Sequence, residues 1–285
     1  MSYTTLISMQ ELAAHLDDPA WAVVDCRYRA KDPEYGLRAY RQSHVAGAVY
    51  AHPDRDLAGP VLPGRTGRHP LPAVEVLAEK LSGWGIDAGV QVAAYDDAGG
   101  ALAAARLWWL LRWLGHTAVA VLDGGWQAWE REGLPVRAGD EGRVRRDFRP
   151  RLRPEMVVDA QAVQRLLCDP DMRLLDARAA DRFRGQNETL DPVAGHIPGA
   201  LSAPYAENLG TDGRFKPPEE LRTRYQALLA GQPAERVVLY CGSGVTANHD
   251  LLALMHAGLG EARLYAGSWS DWILDPSRPV ATGED

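Results

Sequence analysis

A cysteine followed by two glycines is the part of this sequence best suited to covalent chemistry. Cys241 comes directly after the apolar run Val237–Tyr240, which predicts a buried strand, and before the stretch Asn248–Met255, whose leucine spacing predicts a helix. The residues from 241 to 247 read Cys-Gly-Ser-Gly-Val-Thr-Ala. The sequence therefore predicts that Cys241 lies at a turn between a strand and a helix.

A turn of this kind can activate a thiol. The free N–H groups and the positive end of the following helix stabilise an anion, and here the anion would be the thiolate. An unperturbed cysteine is only a few per cent ionised at neutral pH, so such a position is needed to make it a good nucleophile. Gly242 and Gly244 would let the backbone curl around the sulfur without a Cβ in the way. We predict that Cys241 is a nucleophile and that Cys26 and Cys168 have no chemical role.

The elements that must position this cysteine occur twice along the chain. An apolar run that ends in Asp-x-Arg contains Asp25 and returns about 150 residues later with Asp176, and His-x-x-Gly-Ala occurs at His44 and again at His196. Short apolar runs alternate with helical patterns in each copy, which is typical of βα units. We predict an α/β fold with two tandem domains, each a mostly parallel sheet flanked by helices.

The length of 285 residues suits two domains at roughly 150 residues each. Residues 141–153 lie in a polar, charged stretch with no sustained period, which is typical of a surface linker. We expect an N-terminal domain over 1–140, this linker, and a C-terminal catalytic domain over 154–285.

Helix signals support the same division. Ser8 and Glu11 form a capping box before an apolar helix, and Asp159 holds the corresponding place in the second copy. The stretch 101–114 has the spacing of a strongly apolar helix, and we interpret its tryptophans as core residues.

Composition excludes several classes of protein. Hydrophobic residues make up 46% and the net charge is −7, so disorder is excluded and nucleic-acid binding is disfavoured. No apolar run approaches the roughly 18 residues of a membrane span, and the N-terminus does not resemble a secretory signal. Three cysteines are too few and too odd in number for a disulfide framework, and no histidine spacing indicates a metal site. We expect a cytoplasmic protein without a metal or cofactor.

The motifs together resemble one known family over essentially the whole chain. The loop at Cys241, the duplicated Asp-x-Arg and His-x-x-Gly-Ala, and Leu-Asp-Gly-Gly-Trp at residues 122–126 are similar to those of tandem-domain rhodanese-type sulfurtransferases. Within that family, the neutral Cys-Gly-Ser-Gly-Val-Thr loop resembles the 3-mercaptopyruvate sulfurtransferases, whereas thiosulfate enzymes typically carry Cys-Arg-Lys-Gly-Val-Thr.

The resemblance implies a double displacement through a persulfide on Cys241. The donor would be 3-mercaptopyruvate, with thiosulfate as the alternative, and the acceptor would be cyanide or a thiol such as thioredoxin or glutathione. Arg182 stands where the family places a donor-binding arginine, and a surface salt bridge is its alternative interpretation. The resemblance implies that the loop holds the anionic sulfur and that two of its hydroxyls bind the donor: the loop residues are Gly242, Ser243, Gly244, Val245 and Thr246, and the hydroxyls are those of Ser243 and Thr246.

One position departs from the family pattern. Mercaptopyruvate enzymes carry a second arginine about nine residues after the first, and the corresponding stretch here ends in Asp191. An acidic residue there should disfavour a second contact to a carboxylate, although Arg184 or an arginine of the first copy could replace the missing one.

The first copy is predicted to be inactive, because Asp96 stands where the cysteine would be. The resemblance also suggests that His44, with Asp32, assists proton transfer. The alternative is that His44 orders a turn, because the second copy repeats it as His196. Two copies in one chain can bury their faces on each other, so we expect a monomer.

Other functions fit the loop less well. A cysteine phosphatase needs Cys-x5-Arg, and residue 247 is alanine. The glycines lack the Gly-Lys-Ser/Thr of a nucleotide-binding loop, and His249 is poorly directed for a cysteine hydrolase. The alternative to an enzyme is a non-enzymatic protein that serves as a sulfur-relay or binding scaffold.

Overall fold

A computed structural model describes residues 2–284. By its internal contacts the chain forms two compact units. The first unit contains the chain up to Gly59, Leu71–Arg153 and Thr211–Phe215, and the second contains Pro60–Pro70, Pro154–Gly210 and the chain from Lys216 onward. The main division therefore falls directly after residues 141–153, which form neither helix nor strand. Two short segments are exchanged relative to the sequence: Pro60–Pro70 belongs to the second unit, and Thr211–Phe215 belongs to the first.

The first unit is built on a five-stranded sheet in which every strand pair is parallel, in the order β1-β6-β5-β2-β4. A short antiparallel pair, β3 with β7, lies outside it. The strands are β1 Leu6–Ile7, β2 Trp21–Asp25, β3 His44–Val45, β4 Val49–Tyr50, β5 Gln91–Tyr95, β6 Val119–Leu122 and β7 Val136–Arg137. The helices are α1 Met9–Ala13, α2 Tyr35–Gln42, α3 Pro53–Asp56, α4 Val74–Gly83, α5 Ala104–Trp113 and α6 Gly125–Arg131.

The second unit has its own five-stranded parallel sheet, in the order β10-β9-β11-β12-β8. Its strands are β8 Val157–Val158, β9 Arg173–Asp176, β10 Ala200–Ser202, β11 Val237–Tyr240 and β12 Arg263–Tyr265. Its helices are α7 Ala160–Leu166, α8 Ala180–Phe183, α9 Pro218–Leu229, α10 Ala247–His256 and α11 Ser268–Trp272, with 3-10 turns at Pro154–Met156, Tyr205–Asn208 and Ala234–Arg236.

The two sheets share one topology. Read from the other edge, the second sheet runs β8-β12-β11-β9-β10, which matches the first strand for strand. The predicted α/β class with two tandem parallel sheets is confirmed. The predicted caps are also present, because Ser8 and Glu11 form the capping box of α1 and Asp159 accepts a hydrogen bond from the Ala162 N–H at the start of α7. The tryptophans of α5 are buried, as expected of core residues.

The duplicated Asp-x-Arg forms the same buried ion pair in each unit. Asp25 is the last residue of β2 and accepts hydrogen bonds from the Arg27 guanidinium at 2.6 and 2.9 Å. Asp176, the last residue of β9, makes the same contacts with Arg178. Each guanidinium lies over a tryptophan ring, 4.2 Å from Trp126 in the first unit and 4.8 Å from its counterpart in the second. The motif therefore fixes the end of a central strand, where the next loop begins.

Among the described residues, the structure contains no helix that is both long enough and apolar enough to cross a membrane.

The buried pair in the first unit can be tested against an exposed pair nearby. We expect Asp25→Ala to lower the free energy of unfolding by about 3–5 kcal/mol, because it leaves a buried guanidinium without its partner. The matched control is Asp32→Ala, which breaks the exposed ion pair with Arg38 and should cost less than about 1 kcal/mol. Urea denaturation of both variants measures the difference, and equal losses would contradict the structural role of the buried pair.

Candidate active site

Cys241 is buried directly after β11, in the loop that leads into α10. The Gly244 N–H donates a hydrogen bond to its sulfur, with 3.2 Å between the nitrogen and Sγ. The Cys241 N–H donates to Ser268 Oγ at 3.1 Å, and its carbonyl accepts from the Trp269 N–H at 2.9 Å. Residues of α11 therefore bind both the N–H and the carbonyl of Cys241, and the predicted strand-to-helix turn is present.

Both loop glycines are needed because of close neighbours. Gly244 has a φ of +76°, and a Cβ there would lie 2.1 Å from the carbonyl oxygen of Ala266. A Cβ on Gly242 would lie 2.9 Å from Nη2 of Arg68 and 3.5 Å from Nη1 of Arg182. Gly244 thus allows the turn that directs its N–H to the sulfur, and Gly242 allows two guanidinium groups to approach the loop.

Arg182, from α8, is held by acidic side chains. Its Nη2 donates to both oxygens of Glu188 at 2.9 Å, and to Oδ2 of Asp191 at 3.2 Å. The predicted donor-binding arginine therefore lies beside the cysteine loop, and it is also part of a salt-bridge network.

Arg68 completes this network from the segment Pro60–Pro70. Its Nη1 donates to Oδ1 of Asp191, so Asp191 bridges Arg68 and Arg182. The Arg68 N–H also donates to Ser270 Oγ at 3.1 Å, which anchors the segment to α11. Burial lowers the pKa of Arg68, and the nearby Cys241 opposes that shift.

His69 lies next to a loop hydroxyl. Its Nδ1 is 2.7 Å from Oγ of Ser243, a hydrogen-bonding distance between two groups that can both carry a proton. Thr246 is the N-cap residue of α10, and its side chain makes no capping hydrogen bond.

The proposed proton-transfer pair of the first copy has other contacts. Nδ1 of His44 lies 2.7 Å from the carbonyl oxygen of Tyr40, and its Nε2 is 3.7 Å from Glu141. Asp32 pairs with Arg38 on the surface. All of these contacts lie within the first unit, and none of them joins His44 to Asp32. The role of this pair stays a prediction, whereas the ring of His69 contacts the cysteine loop.

Arg68 and His69 were missed because no local pattern marks them. They belong to a Gly- and Pro-containing segment, Gly64 to Pro72, that lacks helical or strand periodicity. The available signal was an arginine next to a histidine in a loop, because loops often carry binding and catalytic residues. Arg68 precedes the second copy in the sequence, but the segment that carries it belongs to the second unit. Arg184 pairs with Glu284. The alternative that another arginine replaces the missing one stays a prediction.

Helix α10 supports the loop from behind with buried polar side chains. Nδ2 of Asn248 donates to the carbonyl oxygens of Gly244 at 2.9 Å and Val245 at 2.8 Å.

Asp250, on the same helix, accepts a hydrogen bond of 2.6 Å from Asn208. Burial raises the pKa of Asp250 to about 7 even though the Arg224 charge opposes the shift.

In the first unit, the side chain of Asp96 fills the loop that corresponds to the Cys241 loop. Both oxygens of Asp96, which is fully buried, accept hydrogen bonds from backbone N–H groups at 2.8–3.1 Å. Burial raises the pKa of Asp96, and these bonds act against that shift. The donors are the N–H groups of Ala98, Gly100, Leu102, Ala103 and Ala104. A carboxylate therefore occupies the place that Cys241 holds in the second unit.

Residues 2–284 contain no group of three or more His, Cys, Asp or Glu side chains arranged to hold a metal ion.

Comparison with known proteins gives matches over both copies. The model of the rhodanese-like domain matches residues 8–132 and 159–275. The chain is 52% identical to the "Probable 3-mercaptopyruvate sulfurtransferase" of Pseudomonas aeruginosa, with 100% of each chain covered. It is 39% identical to the "Putative thiosulfate sulfurtransferase SseB" of Mycobacterium tuberculosis, over 98% of this chain and 97% of that one.

A solved structure agrees with these matches. The crystal structure of SseA from Escherichia coli, described as a 3-mercaptopyruvate sulfotransferase, is similar with a TM-score of 0.81 and 31% identity. The likeness covers 94% of this chain and 100% of SseA.

The raised pKa of Asp250 predicts a pH-dependent stability. Between its ordinary value of 3.8 and about 7, the unfolded carboxyl ionises while the folded one keeps its proton, so the free energy of unfolding falls as pH rises. Relative to Asp250→Asn, the wild type should lose roughly 4 kcal/mol of unfolding free energy across this range. Urea titrations of both proteins at several pH values measure the difference, and parallel pH profiles would show that Asp250 is ionised in the folded state.

Proposed function

Since the chain belongs to the rhodanese-like domain family, we propose that it is a sulfurtransferase whose second unit carries a sulfur atom as a persulfide on Cys241. The observation that carries the proposal is the buried thiol with the Gly244 N–H directed at its sulfur and two guanidinium groups beside Gly242. This arrangement stabilises negative charge both on the sulfur and on a bound donor.

The proposed donor is 3-mercaptopyruvate. The relatives named for this activity support the choice, and so does the neutral loop, whose Ser243 can bind an oxygen of the donor. The carboxylate of the donor fits a guanidinium fork, because the fork can pair with two oxygens at once. Thiosulfate stays the second candidate, since a relative at 39% identity is named for it.

In the first step, the Cys241 thiolate attacks the thiol sulfur of the donor. A sulfur–sulfur bond forms, the carbon–sulfur bond breaks with its electron pair on carbon, and the enolate of pyruvate leaves. The proton of the donor thiol passes to that carbon. Ser243 and His69, 2.7 Å apart, are the pair we assign to hold and return this proton.

In the second step, an acceptor nucleophile attacks the outer sulfur of the persulfide. The sulfur–sulfur bond breaks and its electron pair returns to Cys241 as the thiolate, which the loop N–H again stabilises. Cyanide would leave as thiocyanate, and a thiol such as thioredoxin or glutathione would leave as its own persulfide. We propose that the reaction takes place in the cytoplasm with such an acceptor.

The persulfide is tested by mass. Incubation with 3-mercaptopyruvate in the absence of an acceptor should add about 32 Da, one sulfur atom, to the wild-type protein. Cys241→Ser should show no adduct and no turnover, because the nucleophile is lost. The matched control is Cys168→Ser, which removes an exposed thiol and should leave the adduct in place. An unchanged adduct on Cys241→Ser would contradict the mechanism, and no adduct on the wild type with either donor would favour a binding scaffold.

The assigned proton transfer is tested with two donors. We expect His69→Gln to lower kcat with 3-mercaptopyruvate about 100-fold, since the leaving carbon must be protonated. With thiosulfate the loss should be much smaller, because sulfite is a weak base and leaves without a proton. Steady-state kinetics with both donors measure the split. If His44→Gln caused the donor-specific loss and His69→Gln did not, the role would belong to His44.

A further inference from the structure

Asp191 lies between the two guanidinium groups that face the cysteine loop. Its Oδ1 accepts from Nη1 of Arg68, and its Oδ2 lies 3.2 Å from Nη2 of Arg182. Both arginines also lie near the position that a Cβ on Gly242 would occupy. Each oxygen of one carboxylate therefore holds a different arginine, and both arginines lie at the same edge of the loop.

The arginines of this network are matched by an equal number of buried carboxylates. The Asp191 side chain is 3% exposed and that of Glu188 is 2% exposed, so water screens neither carboxylate well. Glu188 also lies 3.5 Å from Arg178, which pairs with Asp176. The connected network thus contains three guanidinium groups and three carboxylates: Arg68, Arg178 and Arg182 with Asp176, Glu188 and Asp191.

We propose that Asp191 determines donor selectivity by favouring a donor with one negative charge over a donor with two. The proposal rests on the proposed function and deepens it. The carboxylate of Asp191 orients both guanidinium groups, which favours a donor that carries a single carboxylate. The same charge repels the bound donor, and it repels a dianion such as thiosulfate about twice as strongly as a monoanion at the same distance.

A fixed negative charge at Asp191 and the mere absence of a second donor-binding arginine predict different kinetics. A missing contact would weaken every anionic donor in a similar way. A fixed charge beside the site changes the preference between donors, because the Coulomb energy scales with the charge of the donor. The signature of selectivity is therefore a change in the ratio of kcat/KM for the two donors.

The direct experiment compares the two donors on three variants. For Asp191→Asn, which removes the charge and keeps an acceptor oxygen, the ratio of kcat/KM for thiosulfate to that for 3-mercaptopyruvate should rise about tenfold. For Asp191→Glu, which restores the charge, the ratio should stay within about threefold of wild type. The matched control is Asp275→Asn, which removes the same charge from an exposed site of the second unit and should leave the ratio unchanged.

A second measurement does not depend on turnover. The rate at which iodoacetamide alkylates Cys241, followed on its peptide by mass spectrometry, reports protection by bound anions at constant ionic strength. In the wild type, pyruvate should protect at about tenfold lower concentration than sulfate, and this difference should shrink in Asp191→Asn.

The outcomes are distinct. An unchanged donor ratio in folded Asp191→Asn, or tighter protection by sulfate than by pyruvate in the wild type, would overturn the selectivity role. Absence of a Cys241 adduct with both donors would overturn the proposed function, whereas the protection measurement would still decide whether Asp191 selects against dianions.

Discussion

The hydrogen bond from the Gly244 N–H to the sulfur of Cys241 is the contact on which the site depends. It requires a backbone that turns back on the cysteine, with Gly244 in the left-handed region against the carbonyl of Ala266. The loop keeps this form because α11 binds it on one side and Asn248 binds two of its carbonyl oxygens on the other. A rigid loop presents its N–H to the sulfur without reorganisation, which is what stabilisation of a reacting anion needs.

The two units share a framework, but the loops after their central strands differ in sequence. Both units have the same strand order, the same Asp-x-Arg ion pair and a loop in the same place after a central strand. In the first unit, Asp96 brings its own negative charge to the loop and accepts five N–H groups. In the second unit, the loop side chain at this place is Cys241, whose sulfur accepts a hydrogen bond from the Gly244 N–H. The architecture is therefore the same in both units, whereas the N–H groups of the first-unit loop are bound by the chain's own carboxylate.

The sequence predicted the parts of the site that local pattern controls. The run before Cys241 and the leucines after it predict a strand, a turn and a helix, and the structure confirms all three. The position of Arg182 beside the loop has no such local signal, and its predicted role comes from the family resemblance. The partners from Pro60–Pro70 were not identified, because His69 meets Ser243 across 174 residues and no periodicity marks such a contact. The sequence predicts that Asp191 disfavours a second contact to a donor carboxylate, but it does not show that both oxygens of Asp191 bind arginines, which only the folded chain brings together.

A crystal structure of the protein after reaction with 3-mercaptopyruvate, without an acceptor, would show where the transferred sulfur is bound. We expect a second sulfur bonded to Sγ of Cys241, within hydrogen-bonding distance of the loop N–H groups. Additional density on Cys26 or Cys168 with Cys241 unmodified would contradict this expectation, because the loop around Cys241 would then not be where sulfur is carried.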